Sequence, residues 1–158
     1  MRGFLTAISN IMKIEKIDHV GIRVRDRNRA IAFYKHLGFA VIHTETFDEV
    51  VIIRNSAEVE INLIINANNP EGDHNILMDS EIKYPGHTHL ALRVVSIAET
   101  IKSLKRAGIK ITQGPVKFGH DGHVSVFVRD PDRNTLELRG RAEHSEEIEG
   151  LMMYDPQG

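Results

Sequence analysis

The chain has 158 residues, 41% of them hydrophobic, with 20 Lys and Arg against 22 Asp and Glu and no cysteine. The lack of cysteine excludes disulfide scaffolds, cysteine-ligated zinc and a thiol nucleophile. A formal charge of −2, with both signs interspersed, argues against nucleic-acid binding, which needs a basic stripe. No apolar run approaches the ~20 residues of a membrane span, and residues 4–8 are too short for a signal-peptide core, so we expect a cytoplasmic protein with no membrane partner.

Taken in chain order, residues 1–13 carry little hydrophobic periodicity and are predicted to be an N-terminal extension. Aliphatic and polar residues then alternate from His19 to Arg25, the period-two pattern of a half-buried strand. Apolar residues from Ala30 to Leu37 recur at helical spacing and predict a helix that ends at Gly38. Further strands are predicted over 39–47, 49–54 and 58–65.

The same order of elements recurs in the second half of the chain. An offset of 70 residues sets His19 against His89, and an offset of 75 sets Asn62 against Glu137. Self-similarity of this kind indicates a repeated structural unit. A strand at 89–94, a helix with a capping box at Ser96 and Glu99, and strands over 109–113, 123–129 and 134–139 are predicted for the second copy.

The predicted class is therefore α+β, with one domain over 14–140 built from two βαβββ modules, at 14–65 and 86–140. We expect the modules to form a curved mixed trough, and edge-to-edge pairing would bring their candidate ligands together in it. Residues 66–85 are predicted to be a surface linker. The tail from 141 to 158 begins acidic and ends apolar, which predicts a short helix or an extended arm that packs on a partner subunit. Because open sheet edges are usually paired or covered, we predict a homodimer.

Alternation also decides which side chains share a face of a strand. In the first strand of each copy, His19 and His89 lie opposite the aliphatic side. In the last strands, Glu137 and the pair Glu60 and Asn62 lie opposite the aliphatic side as well. Two imidazoles and a carboxylate on a rigid sheet form an open divalent-metal site, because three protein ligands leave positions for water or substrate.

Several segments resemble the vicinal oxygen chelate (VOC) superfamily, which includes glyoxalase I, extradiol dioxygenases and the fosfomycin and bleomycin resistance proteins. The resemblance spans about 14–140 and is carried by HVGIRV (19–24), AIAFY (30–34), LGF (37–39), GHTHLALRV (86–94) and DPDRNTLEL (130–138). It implies one metal ligand on the first and on the last strand of each module, and so identifies His19, His89 and Glu137 as ligands. The implied metal is Zn, Ni, Co, Mn or Fe(II).

The fourth ligand position departs from this resemblance, since glyoxalase I has a glutamate there. The internal alignment sets Asn62 at that position, and Glu60 stands two residues earlier on the same face. A bulge or a shifted register would bring Glu60 to the metal instead. We predict Asn62, because the ungapped alignment needs no bulge, with Glu60 beside the metal as a base or an outer acceptor.

Three functions are consistent with these residues, and all act on a small molecule. The first is glyoxalase-like lyase or isomerase chemistry on vicinal oxygens, with Glu60 or Glu137 as general base. The second is an Fe(II) extradiol dioxygenase, which a His, His and Glu shell favours. The third is a non-catalytic drug or metabolite binder, against which the retained histidines and Glu137 argue. The first is preferred.

Four further residues are predicted at the substrate. Arg23 and Arg93 follow the two histidines along their strands, where they can hold an anionic substrate or line a solvated face. His120 and His123 flank a loop at the mouth of the trough. We predict exposed loop histidines, with a role in proton transfer as the alternative.

Overall fold

The structure is a computed structural model that describes residues 11–44, 49–69, 73–142 and 148–156. The first module contains β1 (Val20–Val24), α1 (Arg27–His36), β2 (Ala40–Thr44), β3 (Val50–Arg54) and β4 (Glu60–Ile65). The second contains β5 (Leu90–Arg93), α2 (Ile97–Arg106), β6 (Ile111–Lys117), β7 (His123–Arg129) and β8 (Thr135–Arg141), followed by β9 (Met152–Met153). The tandem βαβββ order is confirmed.

The strands form two mixed sheets, which confirms the α+β class. One sheet has the order β1-β4-β3-β2, and the other has the order β5-β8-β7-β6-β9. β1 runs parallel to β4, and β5 runs parallel to β8. Within the described ranges the two sheets share no strand pair, so β1 and β5 are edge strands, each with one neighbour.

The helices cover the aliphatic face of each sheet, as the alternation predicts. α1 begins after Asp26, whose side chain accepts a hydrogen bond from the Arg29 amide at 2.7 Å. α2 begins after Ser96, whose hydroxyl accepts from the Glu99 amide at 3.2 Å. Both caps satisfy amides that a helix start leaves unpaired. One core cluster includes aliphatic residues from both modules.

A buried polar contact joins the two modules. The Tyr34 hydroxyl on α1 donates to a carboxylate oxygen of Asp130, in the turn between β7 and β8, at 3.0 Å. The side chains are 0% and 3% exposed. Burial raises the pKa of Asp130, and burial together with the Asp130 charge raises the pKa of Tyr34 well above its usual range. Beside this pair, Arg25 donates to Asp132 at 3.1 Å. These contacts fix the β7–β8 turn against the first module.

The C-terminal tail packs on its own chain over the residues that the structure describes there. β9 pairs in parallel with β6, and Ile148 is buried in the core cluster. The Tyr154 ring lies 5.0 Å from the Phe118 ring. Of the predicted alternatives, the extended arm is seen for 148–154, and it packs on its own chain, where the edge of β6 and the Phe118 ring lie within reach. The acidic run at 143–147 lies outside the described residues.

The linker contacts the second module through Asp79 and Asn75, and Asn75 donates to the side chain of Asn134 at 3.4 Å. Asp79 accepts from Arg133 at 2.8 and 3.0 Å and from Arg129 at 3.2 Å. These guanidinium donors lower the pKa of Asp79. None of the helices in the described residues is long and apolar enough to cross a membrane.

Candidate functional site

The second sheet carries a polar face, opposite α2, that consists of His89, Arg93, His123, Ser125, Glu137 and Arg139. Its centre is the pair of His89, which immediately precedes β5, and Glu137 on β8. The Nε2 atom of His89 lies 3.0 Å from the Oε2 atom of Glu137. The Ser125 hydroxyl donates to the other carboxylate oxygen at 2.5 Å, and Glu137 is 8% exposed. A carboxylate this buried needs such partners, because burial without them disfavours its charge.

An aromatic wall borders this pair. The imidazole ring of His89 lies edge-on to Phe127 at 5.6 Å, and Phe127 lies 6.4 Å from Phe118. Phe118 in turn contacts Tyr154 of the tail. The site is therefore apolar on the side of β6 and β9, and polar on the side of β5.

The first module presents its candidate residues on the corresponding face. Register sets Asn62 opposite Gly21 in the pair of β1 and β4, just as it sets Glu137 opposite Ala91 in the pair of β5 and β8. The side-chain oxygen of Asn62 is buried and has no hydrogen-bond partner among the described residues. A buried oxygen without a donor is costly, so this atom is suited to a ligand.

Glu60 and His19 have partners nearby. Arg54 donates to one carboxylate oxygen of Glu60 at 2.6 and 3.2 Å. His19 precedes β1, and its side chain is 44% exposed. The Nδ1 atom of His19 lies 2.6 Å from a carboxylate oxygen of Asp18. The hydrogen bond from His19 lowers the pKa of Asp18.

The structure brings two of the predicted metal ligands together. His89 and Glu137 are in contact, while no group of three His, Cys, Asp or Glu side chains in the described part of the chain is placed to hold an ion. His19 lies before β1, on the edge of the other sheet. Within a single chain, the predicted convergence of His19 with this pair is not seen.

The predicted substrate residues divide into buried and exposed groups. His123 is the first residue of β7 and is 8% exposed, so the prediction of an exposed loop histidine is wrong for it, whereas His120 is exposed. Arg93 lies 3.0 Å from His123, between a guanidinium nitrogen and Nε2. Arg23 donates to Asn66 at 2.9 Å and lies on the face of the first module that carries Asn62.

Sequence reasoning missed two residues of the polar face. Ser125 binds Glu137, and Arg139 donates to the Ser125 hydroxyl at 3.2 Å and to Asp121 at 2.7 Å. The backbone amide of His123 and the Arg139 charge lower the pKa of Asp121. Alternation already placed Ser125 and Arg139 on the face of Glu137, and that signal could have found them.

The comparisons with known proteins agree with this architecture. The family model of the Glyoxalase/Bleomycin resistance protein/Dioxygenase superfamily matches residues 16–138. The chain belongs to this superfamily. It is 32% identical over 130 residues to the glyoxalase domain-containing protein RDO1 of Mycosarcoma maydis, covering 80% of this chain and 69% of that protein. It is 30% identical over 135 residues to virulence protein STM3117 of Salmonella typhimurium, covering 80% of this chain and 85% of that protein.

Solved structures of the superfamily share the fold. A glyoxalase family protein from Enterococcus faecalis superimposes with a TM-score of 0.63 at 27% identity, covering 81% of this chain and 99% of that one. The resemblance inferred from the sequence motifs is thus confirmed. Membership leaves the reaction open, since the superfamily includes enzymes and binding proteins.

Proposed function

We propose that this chain is a divalent-metal-dependent enzyme that acts on a small molecule with vicinal oxygens, by glyoxalase-like lyase or isomerase chemistry. The contact between His89 and Glu137 carries the proposal. The ligand atoms lie 3.0 Å apart, and two ligands bound to one ion at about 2.1 Å are held roughly 3.0–3.4 Å apart. The spacing of the pair is therefore compatible with both atoms binding one ion.

The neighbours of the pair support the same role. The Thr88 hydroxyl lies 2.9 Å from Nδ1 of His89. In the tautomer that donates from Nδ1 to Thr88, Nε2 presents its lone pair beside Glu137, an arrangement usual for metal-binding histidines. Ser125 holds the other Glu137 oxygen and fixes the carboxylate. A divalent ion at this position would act as a Lewis acid toward the two substrate oxygens.

We further propose that a second copy completes the site. In the described part of the chain β1 and β5 each have a free edge, and edge strands are usually paired or covered. A symmetric dimer that joins β1 of one copy to β5 of the other would place His19 and Asn62 of one copy beside His89 and Glu137 of the other. The buried, unpartnered oxygen of Asn62 supports its assignment as the fourth, neutral ligand.

Glu60 is proposed as the general base. It lies two residues from Asn62 on the same face of β4, and Arg54 orients its carboxylate. A base in this position takes a proton from the carbon beside the substrate oxygens.

An Fe(II) dioxygenase is the second candidate. Asn62 stands where a second carboxylate would complete a glyoxalase shell, and a shell of two histidines and one carboxylate is typical of iron oxygenases. Metal analysis of protein purified without chelator separates the two. Iron would support the dioxygenase, and nickel, zinc, cobalt or manganese would support the lyase or isomerase.

The metal site is tested by alanine variants of its ligands. We expect His19→Ala, His89→Ala and Glu137→Ala to lose most bound metal with the fold intact, as judged by circular dichroism, while the exposed His36→Ala keeps it. Metal affinity of the native protein should also fall below about pH 6, where imidazole becomes protonated. Full metal occupancy in all three variants would contradict the site, and a native protein that takes up no metal would favour a binder.

Mixing two variants tests the shared site. After His19→Ala and His89→Ala proteins are unfolded and refolded together, mixed dimers have one intact site each, so about a quarter of native metal binding should return. A site within one chain would recover no binding, and a strictly monomeric mass by light scattering would also contradict the proposal.

A further inference from the structure

Two arginines lie side by side on the polar face, one step beyond the His89 and Glu137 pair. Register sets Arg93 on β5 opposite Arg139 on β8, and Arg139 opposite Ser125 on β7. Like charges directly across two strands destabilise a sheet. An anion bound between them would relieve this repulsion.

Among the residues that the structure describes, one carboxylate contacts either of the two arginines. Asp121 contacts Arg139 at 2.7 Å and is itself 52% exposed. Arg93 contacts Nε2 of His123, and no carboxylate among the described residues pairs with it. Glu137 is engaged by Ser125 and His89. Within the described ranges, Arg93 is thus left without a carboxylate partner.

The internal repeat shows that this pair is not a general feature of the fold. Arg23 corresponds to Arg93 in the first module, and its neighbour on β4 is Ile64, at the position that corresponds to Arg139. Only the second module, in the described ranges, places two cations in this row. The module architecture by itself therefore does not require the second arginine.

We propose that Arg93 and Arg139 bind an anionic group of the substrate, a carboxylate or a phosphonate or phosphate. This inference rests on the proposed function, because it assigns a negatively charged group to the same substrate that carries the vicinal oxygens. The arginine row lies two residues along the strands from the Glu137 row, a distance of about 7 Å. The substrate class is a small anion whose vicinal oxygens and charged group are about that far apart.

Anion binding to the metal-free protein tests the proposal. Full-length protein treated with chelator is titrated at pH 8 in chloride-free buffer with inorganic phosphate, methylphosphonate or acetate, by calorimetry. We expect at least one of them to bind, and Arg93→Ala to weaken that binding at least about tenfold, or about 1.4 kcal/mol. Binding of phosphate or methylphosphonate would indicate recognition of a tetrahedral phosphate or phosphonate group, and binding of acetate would indicate recognition of a planar carboxylate.

Two further variants make the result specific. Arg106→Ala on α2 removes the same charge from an exposed residue that contacts Ser103, and it should leave anion binding unchanged. Asp121→Asn removes the competing carboxylate and should strengthen binding up to about fivefold. Binding that Arg93→Ala leaves intact, or the absence of binding for all three probes, would overturn the proposal. Because no metal is present, failure of the metal site would not produce either result.

Discussion

The contact between Tyr34 and Asp130 predicts a measurable loss of stability when one oxygen atom is removed. Tyr34→Phe keeps the ring in the core and deletes only the hydroxyl that donates to the buried carboxylate at 3.0 Å. A hydrogen bond to a charged group contributes about 1.5–3 kcal/mol. Asp130 keeps donors from the amides of Asp132 and Asn134 at 2.9 and 2.8 Å, so we expect the lower part of that range. For a chain of this size this corresponds to a fall in Tm of roughly 3–8 °C.

The pH dependence of the loss follows from the same contact. Burial raises the pKa of Asp130, and the Tyr34 hydrogen bond partly offsets that rise because it favours the ionised form. A raised pKa in the folded state means that stability falls as the pH rises through that pKa. Without the Tyr34 hydroxyl, folding raises the pKa of Asp130 further. The cost of Tyr34→Phe should therefore be greater at pH 8 than at pH 4.

Urea unfolding followed by circular dichroism measures both effects. Tyr84→Phe is the matched control, since the Tyr84 side chain is 50% exposed and its loss of a hydroxyl should change stability by less than about 0.5 kcal/mol. Equal effects of the two substitutions, or a cost of Tyr34→Phe that is the same at both pH values, would refute the reasoning about a buried bond to a charged carboxylate.

Two further substitutions test the linker and the fourth ligand position. Asp79→Asn should cost about 1–3 kcal/mol at pH 7, because it removes the hydrogen-bonded charge that Arg133 holds. Folding lowers the pKa of Asp79 from 3.8, so this stabilisation is present above pH 3.8 and is lost as the pH falls below it. Urea unfolding at pH 7 and at pH 3 should therefore show a smaller cost of Asp79→Asn in acid. The exposed Glu81→Gln is the control. A constant cost would contradict the ion pair. Asn62→Ala should weaken metal binding without destabilising the fold, since its buried oxygen has no hydrogen-bond partner to lose among the described residues. Glu60→Gln should abolish turnover and keep the metal. A structure with a Glu60 oxygen at about 2.0–2.2 Å from the ion would contradict this order.

Local sequence patterns determined the modules and the faces of their strands. The repeat offset set His19 against His89, and two-residue alternation separated the aliphatic side of each strand from the side that carries Glu137. Helix starts followed from capping residues such as Ser96, whose hydroxyl binds the Glu99 amide as the spacing predicts. These features depend on neighbours within a few residues, so a single sequence contains them.

The tertiary structure decided which of these side chains meet. Arg139 was visible on the correct face, but its position beside Arg93 and Ser125 depends on the register between β5, β8 and β7. The tail illustrates the same limit, because its apolar residues predicted burial without identifying β6 as the partner. Register between strands distant in the chain is set by the packing of the whole core and by turn geometry, and a slip of one residue would exchange the two faces. The sequence by itself therefore determined which residues could form a site, and non-local packing decided that His89, Glu137, Ser125 and the arginine pair lie together.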